Sequence, residues 1–229
     1  MNYLRIIGDV HGRHKDYIQV AKQAEYSVQV GDLGFQYNLE EKHLDHTRHV
    51  FIGGNHDNYD IYHDTKHALG DYGEESLGDI SFFFIRGGFS IDHLARKQHY
   101  RITGQKSWWE EEQLTLKQGD AALDAYIKAK PTIMLSHSCP QDVARIIGNP
   151  SVLKAFGYDP HKFRTNTQML LQSCFEQHQP ELWVFGHFHL DREVDLNGTK
   201  FICLPELKYL DINKDGSYRH FHNTGKINL

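Results

Sequence analysis

Five short segments of this 229-residue chain carry side chains able to bind metal ions, and each follows a short apolar run: Gly8-Asp9-Val10-His11-Gly12, Gly31-Asp32-Leu33-Gly34, Gly53-Gly54-Asn55-His56-Asp57, Ser136-His137 and Gly186-His187-Phe188-His189. Such a position is where a buried strand gives way to a loop, and loops at the carboxyl ends of strands are where open α/β sheets bind ligands. The donors are carboxylate and amide oxygens and imidazole nitrogens, with no thiolate among them. That mixture suits Mn²⁺, Fe or Zn²⁺ better than Mg²⁺ or Ca²⁺. Two divalent ions about 3.5–4 Å apart need a carboxylate to bridge them, terminal ligands on both sides, and open positions for water and substrate. Asp32 is the candidate bridge. Asp9 and His11, two apart at a strand end, can reach one ion; Asn55 and His137 add an amide oxygen and an imidazole, and His187 and His189 can be divided between the two ions.

The elements that must position these groups are legible as hydrophobic periodicity. The start, Met1 to Ile7, reads as a strand rather than a signal sequence, with its buried run over 4–7. A helix over 13–24, a strand over 27–30, a rather polar helix over 38–47 and a strand over 50–52 complete a β-α-β-α-β series. Right-handed crossovers bring the ends of those strands to one edge of one sheet. A strand over 81–85, a turn at Gly87-Gly88 and a return over 89–91 predict a hairpin. Ser107-Trp108-Trp109-Glu110 matches a capping box and predicts a helix start there, with the two tryptophans as core or staple residues. Strands over 133–135 and 182–185 lead into His137 and His187, and a helix over 162–178 has Phe163, Met169, Leu170 and Cys174 on one face. Asn197-Gly198 between two apolar stretches is a type I′ hairpin signal, and Lys214-Asp215-Gly216 separates another strand pair.

Composition sets bounds. The length fits one globular unit over 1–229 with a sizeable core, and no repeat or linker divides it. A formal net charge of −5 predicts no broad basic face for duplex nucleic acid. Cys139, Cys174 and Cys203 are widely spaced and odd in number, which predicts reduced thiols in a cytoplasmic protein. No apolar run approaches the length of a membrane span. Twelve of the 17 histidines, among them His43, His46, His49, His63, His67, His220 and His222, lie outside the five segments and read as solvated or hydrogen-bonded residues.

Taken together the five segments resemble the signature of the calcineurin-like metallophosphoesterase superfamily, whose members include protein phosphatases, phosphodiesterases and nuclease subunits. The resemblance implies an α/β fold, a four-layer α/β/β/α sandwich with mixed sheets and a dinuclear metal site at the strand-end edge. It implies that Asp9, His11, Asp32 and His189 hold one ion, that Asp32, Asn55, His137 and His187 hold the other, and that His56 is catalytic. The implied reaction is in-line attack on a phosphate ester by a hydroxide held between two divalent ions, most simply Mn²⁺, with Fe or Zn²⁺ as alternatives. Asp57 would orient an imidazole or start a helix, and Arg13 and Arg86 would touch a phosphate oxygen from the rim. Protein phosphatases of the superfamily continue the second motif with an aspartate and an arginine. Here the residues after Gly34 are Phe35, Gln36 and Tyr37, which favours a phosphodiester over a phosphomonoester. Residues 58–130, between two of the motifs, are expected to form an insertion that selects the substrate. A phosphomonoesterase or protein phosphatase, a nuclease, and a non-catalytic scaffold of the same fold are the alternatives.

Overall fold

A computed structural model describes residues 3–221; Met1, Asn2 and His222 lie outside the described residues. In chain order the strands and helices are β1 (Tyr3–Ile7), α1 (His14–Ala21), β2 (Tyr26–Gln29), α2 (Asn38–His43), β3 (His49–Phe51), β4 (Tyr72–Leu77), β5 (Ile80–Ile85), α3 (His93–Thr103), α4 (Leu116–Ala129), β6 (Ile133–Ser136), α5 (Gln141–Ile147), α6 (Pro150–Ala155), α7 (Asn166–Gln177), β7 (Leu182–Phe185), β8 (Arg192–Leu196), β9 (Thr199–Cys203), β10 (Tyr209–Asn213) and β11 (Tyr218–Phe221).

The strands form two mixed sheets, ordered β11-β10-β1-β2-β3 and β4-β5-β6-β7-β9-β8. Alternation along each strand explains why both faces are covered. In β5, Phe82 and Phe84 point into the space between the sheets, where they join Leu4, Ile6, Val28 and Val50 of the first sheet. Phe83 and Ile85 face the other way, onto Ala122 and Tyr126 of α4 and Leu171 and Phe175 of α7. The outer face of the first sheet is covered by Tyr17, Ile18 and Ala21 of α1. The result is the expected four-layer α/β/β/α arrangement with mixed sheets.

Register brings the site together. Ile7 pairs with Gln29 and Gln29 with Phe51 in the first sheet, while Ile85 pairs with Ser136, Ser136 with Phe185 and Phe185 with Cys203 in the second. The parallel strands of each sheet therefore end level with one another, and the loops that follow share one edge of the sandwich.

Three expectations need correction. The hairpin partner of β5 is β4, joined through Gly78-Asp79, and Gly87-Gly88 is not a turn: it leads the chain out of the sheet and against the metal-ligand residues. No helix starts at Ser107; Trp109 is extended and buried, and only a short 3₁₀ turn, Glu110–Glu112, follows. Tertiary burial of Trp109 and of Glu112, which accepts from the Ser90 N–H and hydroxyl, overrides the capping pattern. The true capping box is Thr115 with Gln118, at the start of α4. In α7, Met169 is 44 % exposed and Phe163 precedes the helix; the buried face is carried by Leu171, Cys174 and Phe175. The Asn197-Gly198 hairpin is as expected, with φ values of 50° and 84°. His49 and His67 are buried and hydrogen-bonded, to Ser27 and to the His49 carbonyl.

Candidate metal centre

Asp9, His11, Asp32 and His189 converge so that one ligand atom from each lies within 4.8 Å of the others. Ligand atoms about 2.0–2.2 Å from a common ion sit at most a little over 4 Å apart, so the four side chains match one ion with small adjustments. The Asp9 carboxylate is fully buried, 3.1 Å from His189 Nε2 and 3.6 Å from His11 Nε2. It also accepts from the His187 N–H. The two oxygens of Asp32 face two ways: Oδ2 lies 3.8 Å from His11 Nε2, and Oδ1 lies 3.2 Å from His137 Nε2. On that second side His137 Nε2 is 3.0 Å from Asn55 Oδ1, and the His137 and His187 rings are 4.9 Å apart. His137 Nδ1 donates to the Val30 carbonyl, which turns Nε2 towards Asn55 and Asp32.

The backbone is shaped around these groups. A Cβ at Gly88 would come within 2.8 Å of Asn55 Oδ1, 2.9 Å of His137 and 3.4 Å of His187; it would fill the space those three donors surround. Gly54 and Gly186 are equally closed, by the carboxylates of Asp32 and Asp9. Four ligand candidates, His11, Asp32, His187 and His189, have φ between 49° and 67°, a region that non-glycine residues rarely occupy. Strain of this kind, typically about 1–3 kcal/mol per residue, persists where surrounding structure enforces it and clusters at functional sites.

The electrostatics fit a cationic occupant. Burial disfavours a charge on Asp32, yet His137, then His56 and His11, outweigh it and hold the carboxyl well below its ordinary value. The same pairing raises His137: burial works against its charge, but Asp32 and Asp9 push it up to about 9. Burial and the neighbouring His137 push His187 down to about 3. With protein atoms alone, a protonated histidine supplies the positive charge that two buried carboxylates require.

The His56 backbone N–H donates to Asp32, which fixes the residue beside the cluster. Asp57 neither orients an imidazole nor starts a helix. Its buried carboxylate accepts from the N–H groups of Asp32, Gly34 and Gly54, tying the second and third motif loops together. Asp57→Ala is expected to cost about 3–5 kcal/mol, because three buried backbone donors lose their acceptor; chemical denaturation measures this, and a loss below about 1 kcal/mol would refute the tie.

Both rim arginines are misplaced by the sequence reading. Arg86 is 2 % exposed and bound to Asp71 at 2.7 Å and to the Glu111 carbonyl, and Arg13 turns to Asp16 at 2.7 Å on the exposed start of α1. Neither lines the cavity that opens from the cluster. Arg96 of α3 and Arg145 of α5 do, and Arg96 is the one in contact with His56. Its Nε is held by Asp92 and its Nη1 by the Ser107 carbonyl, while Nη2 lies 2.9 Å from His56 Nε2. Burial first and then Arg96 lower the His56 pKa, with Asp32 opposing them. The sequence signal was the i,i+4 pair Asp92/Arg96, which lies between the third and fourth motifs and adjoins neither.

Cys139, Cys174 and Cys203 are free and buried. Among the described residues no helix is long and apolar enough to cross a membrane.

A family model described as calcineurin-like phosphoesterase matches residues 4–191. No curated protein matches the chain. Among solved structures, phosphopantetheinyl hydrolase (PptH) from Mycobacterium tuberculosis is similar at a TM-score of 0.52 and 12% identity, covering 89% of each chain. A novel phosphatase from Mycoplasma pneumoniae is similar at a TM-score of 0.50 and 9% identity, covering 95% of this chain and 90% of that one. At such identities the likeness concerns the fold.

Proposed function

Because this chain belongs to the calcineurin-like phosphoesterase family, we propose that it is a metal-dependent phosphoric ester hydrolase that prefers phosphodiesters. The observation that carries this is the two-sided cluster about Asp32. Asp9, His11, Asp32 and His189 would hold one divalent ion, and Asp32, Asn55, His137 and His187 the other; the nitrogen-rich donor set favours Mn²⁺, with Fe or Zn²⁺ next. Two such ions, when bound, lower the pKa of a water and neutralise charge on the phosphoryl oxygens.

The protein's own groups do the rest. His56 faces the cavity beside Asp32; the negative charge of a bound phosphate ester would offset the burial and Arg96 that lower its pKa, so that it takes up a proton and supplies it to the leaving oxygen. Arg96 keeps the His56 ring in place and offers Nη2 to a phosphoryl oxygen. Since Asp92 and the Ser107 carbonyl occupy its other edges, Arg96 makes one contact rather than a two-pronged clamp. A dianionic monoester gains most from a clamp; a monoanionic diester needs less, which supports the diester preference. Asp92 thus positions Arg96 as a second aspartate and arginine would in the protein-phosphatase motif, but from a different element.

Hydrolysis of bis(p-nitrophenyl) phosphate and p-nitrophenyl phosphate in the presence of Mn²⁺ tests this reading. The diester is expected to show the higher kcat/KM, a faster monoester would reverse the preference, and inactivity on both would overturn the assignment as a hydrolase. Arg96→Ala is expected to lower diester kcat/KM by about 10–100-fold, the scale of one charge-assisted hydrogen bond to the reacting group. An effect under about threefold would remove Arg96 from the site.

A further inference from the structure

Glu112 is a buried acid with no place in the reaction described above. It is 2 % exposed, and a carboxylate withdrawn from water is costly unless hydrogen bonds replace its hydration. Those bonds run to one short stretch of chain. Glu112 Oε1 accepts from the Ser90 N–H at 2.8 Å, Oε2 from the Ser90 hydroxyl at 2.7 Å, and the main-chain carbonyl from the Gly88 N–H at 3.0 Å. Gly88 is the residue packed against Asn55, His137 and His187.

Ser90 passes the contact on. The Asn55 amide nitrogen donates to the Ser90 hydroxyl oxygen at 3.2 Å, while Asn55 Oδ1 faces His137 Nε2 at 3.0 Å. A carboxamide presents an oxygen and an NH₂ of nearly equal size, and only the oxygen can bind a cation. A serine hydroxyl cannot choose between them, since it both donates and accepts. An ionised carboxylate only accepts, so it takes the hydroxyl hydrogen and leaves Ser90 with lone pairs alone to offer Asn55. The amide nitrogen must then face Ser90 and the oxygen must face away from it. Burial pushes the Glu112 carboxyl up to about 7, with the Ser90 N–H and hydroxyl opposing, so the acceptor-only form prevails at pH 8.

We propose that Glu112 and Ser90 are positioning residues for the second ion: Glu112 fixes the direction of the Ser90 hydroxyl, and through it holds the Asn55 amide with its oxygen towards His137 and His187. The inference rests on the dinuclear reading in taking Asn55 as a ligand. Partners one step behind a metal ligand typically contribute about 10–100-fold to metal affinity.

Glu112→Gln separates direction from support. The new oxygen can still accept from the Ser90 N–H, but the new NH₂ donates to the Ser90 oxygen, which frees the hydroxyl to donate to Asn55 and turns the amide nitrogen towards the ion. The test is isothermal titration calorimetry with Mn²⁺ at pH 8, which reads affinity and stoichiometry without turnover. In Glu112→Gln one of the two ions is expected to bind about 10–100-fold more weakly and the other as before, and electron paramagnetic resonance should show isolated Mn²⁺ in place of a coupled pair. Ser90→Ala cuts the relay, so it should weaken the same ion by itself, and adding Glu112→Gln to it should cost nothing further. Two ions held as tightly in Glu112→Gln as in the unaltered protein overturn the proposal, and so does an equal loss from Glu112→Gln with and without the Ser90 hydroxyl, which would mean general support of the loop. If Glu112→Gln does not fold, Ser90→Ala decides alone, and full affinity for both ions in it overturns the proposal. Uptake of a single ion by the unaltered protein would reject the dinuclear reading and the positioning role together, whereas two ions that neither variant weakens reject the positioning role alone. The expected metal affinities alongside inactivity on the p-nitrophenyl esters would reject only the hydrolase reading.

Discussion

On a phosphodiester with a strongly basic alkoxide leaving group, His56→Ala is expected to lower kcat by about 10²–10⁴-fold, the range for loss of a general acid. On a p-nitrophenyl diester the same substitution should cost far less, because p-nitrophenolate departs with little protonation. The gradient follows from where the ring sits: its backbone N–H is anchored on Asp32 and its imidazole lies against Arg96 on the cavity wall. A penalty independent of leaving-group basicity would show that His56 stabilises the phosphoryl group rather than delivering a proton. Metal content should stay at about two ions per chain, as expected for a dinuclear site, since the ring is assigned to neither; a fall to one would mean that His56 is a ligand.

Asp32→Ala should be the most damaging single change. Its two carboxylate oxygens face His11 on one side and His137 on the other, so its removal takes a ligand from both ions together. We expect at least ~10³-fold loss of kcat/KM, on the scale reported for removal of key electrostatic groups, and elemental analysis should find less than half the metal of the unaltered protein. Retention of both metals would refute the bridge. Cation uptake should also release protons. With His137 held up to about 9 by Asp32 and Asp9 despite its burial, the cation-free cluster is protonated at pH 7 and must lose that proton to offer Nε2. Apparent affinity therefore rises with pH until about that value, and calorimetry in buffers of different ionisation enthalpy reads the protons released.

The seven ligand candidates were legible because each sits directly after a strand whose apolar run is unmistakable, and register then does the assembly. What lay beyond reading were the elements between. Helices α3 and α6 bury no residue, so they lack the apolar stripe by which a helix announces itself, and Arg96 went with α3. Arg86 was expected at the rim, but its partner Asp71 is fixed only by the β4–β5 pairing. Ser107-Trp108-Trp109-Glu110 satisfied a local rule that the burial of Trp109 overruled.

The glycines packed on the cluster bear on how such a protein can change over generations. At Gly54, Gly88 and Gly186 even a methyl group would strike a ligand atom or its immediate neighbour, so the usual first step of drift, a small residue enlarging by one carbon, is closed at three points of the wall. The centre is thus inherited whole or lost whole. Novelty must come from the solvent-facing side, where α3, α6 and the chain between α6 and α7 can vary in length and side chain without touching a single ligand. One fixed hydrolytic core could in that way serve a succession of substrates, each defined by helices that contribute no buried residue to that core.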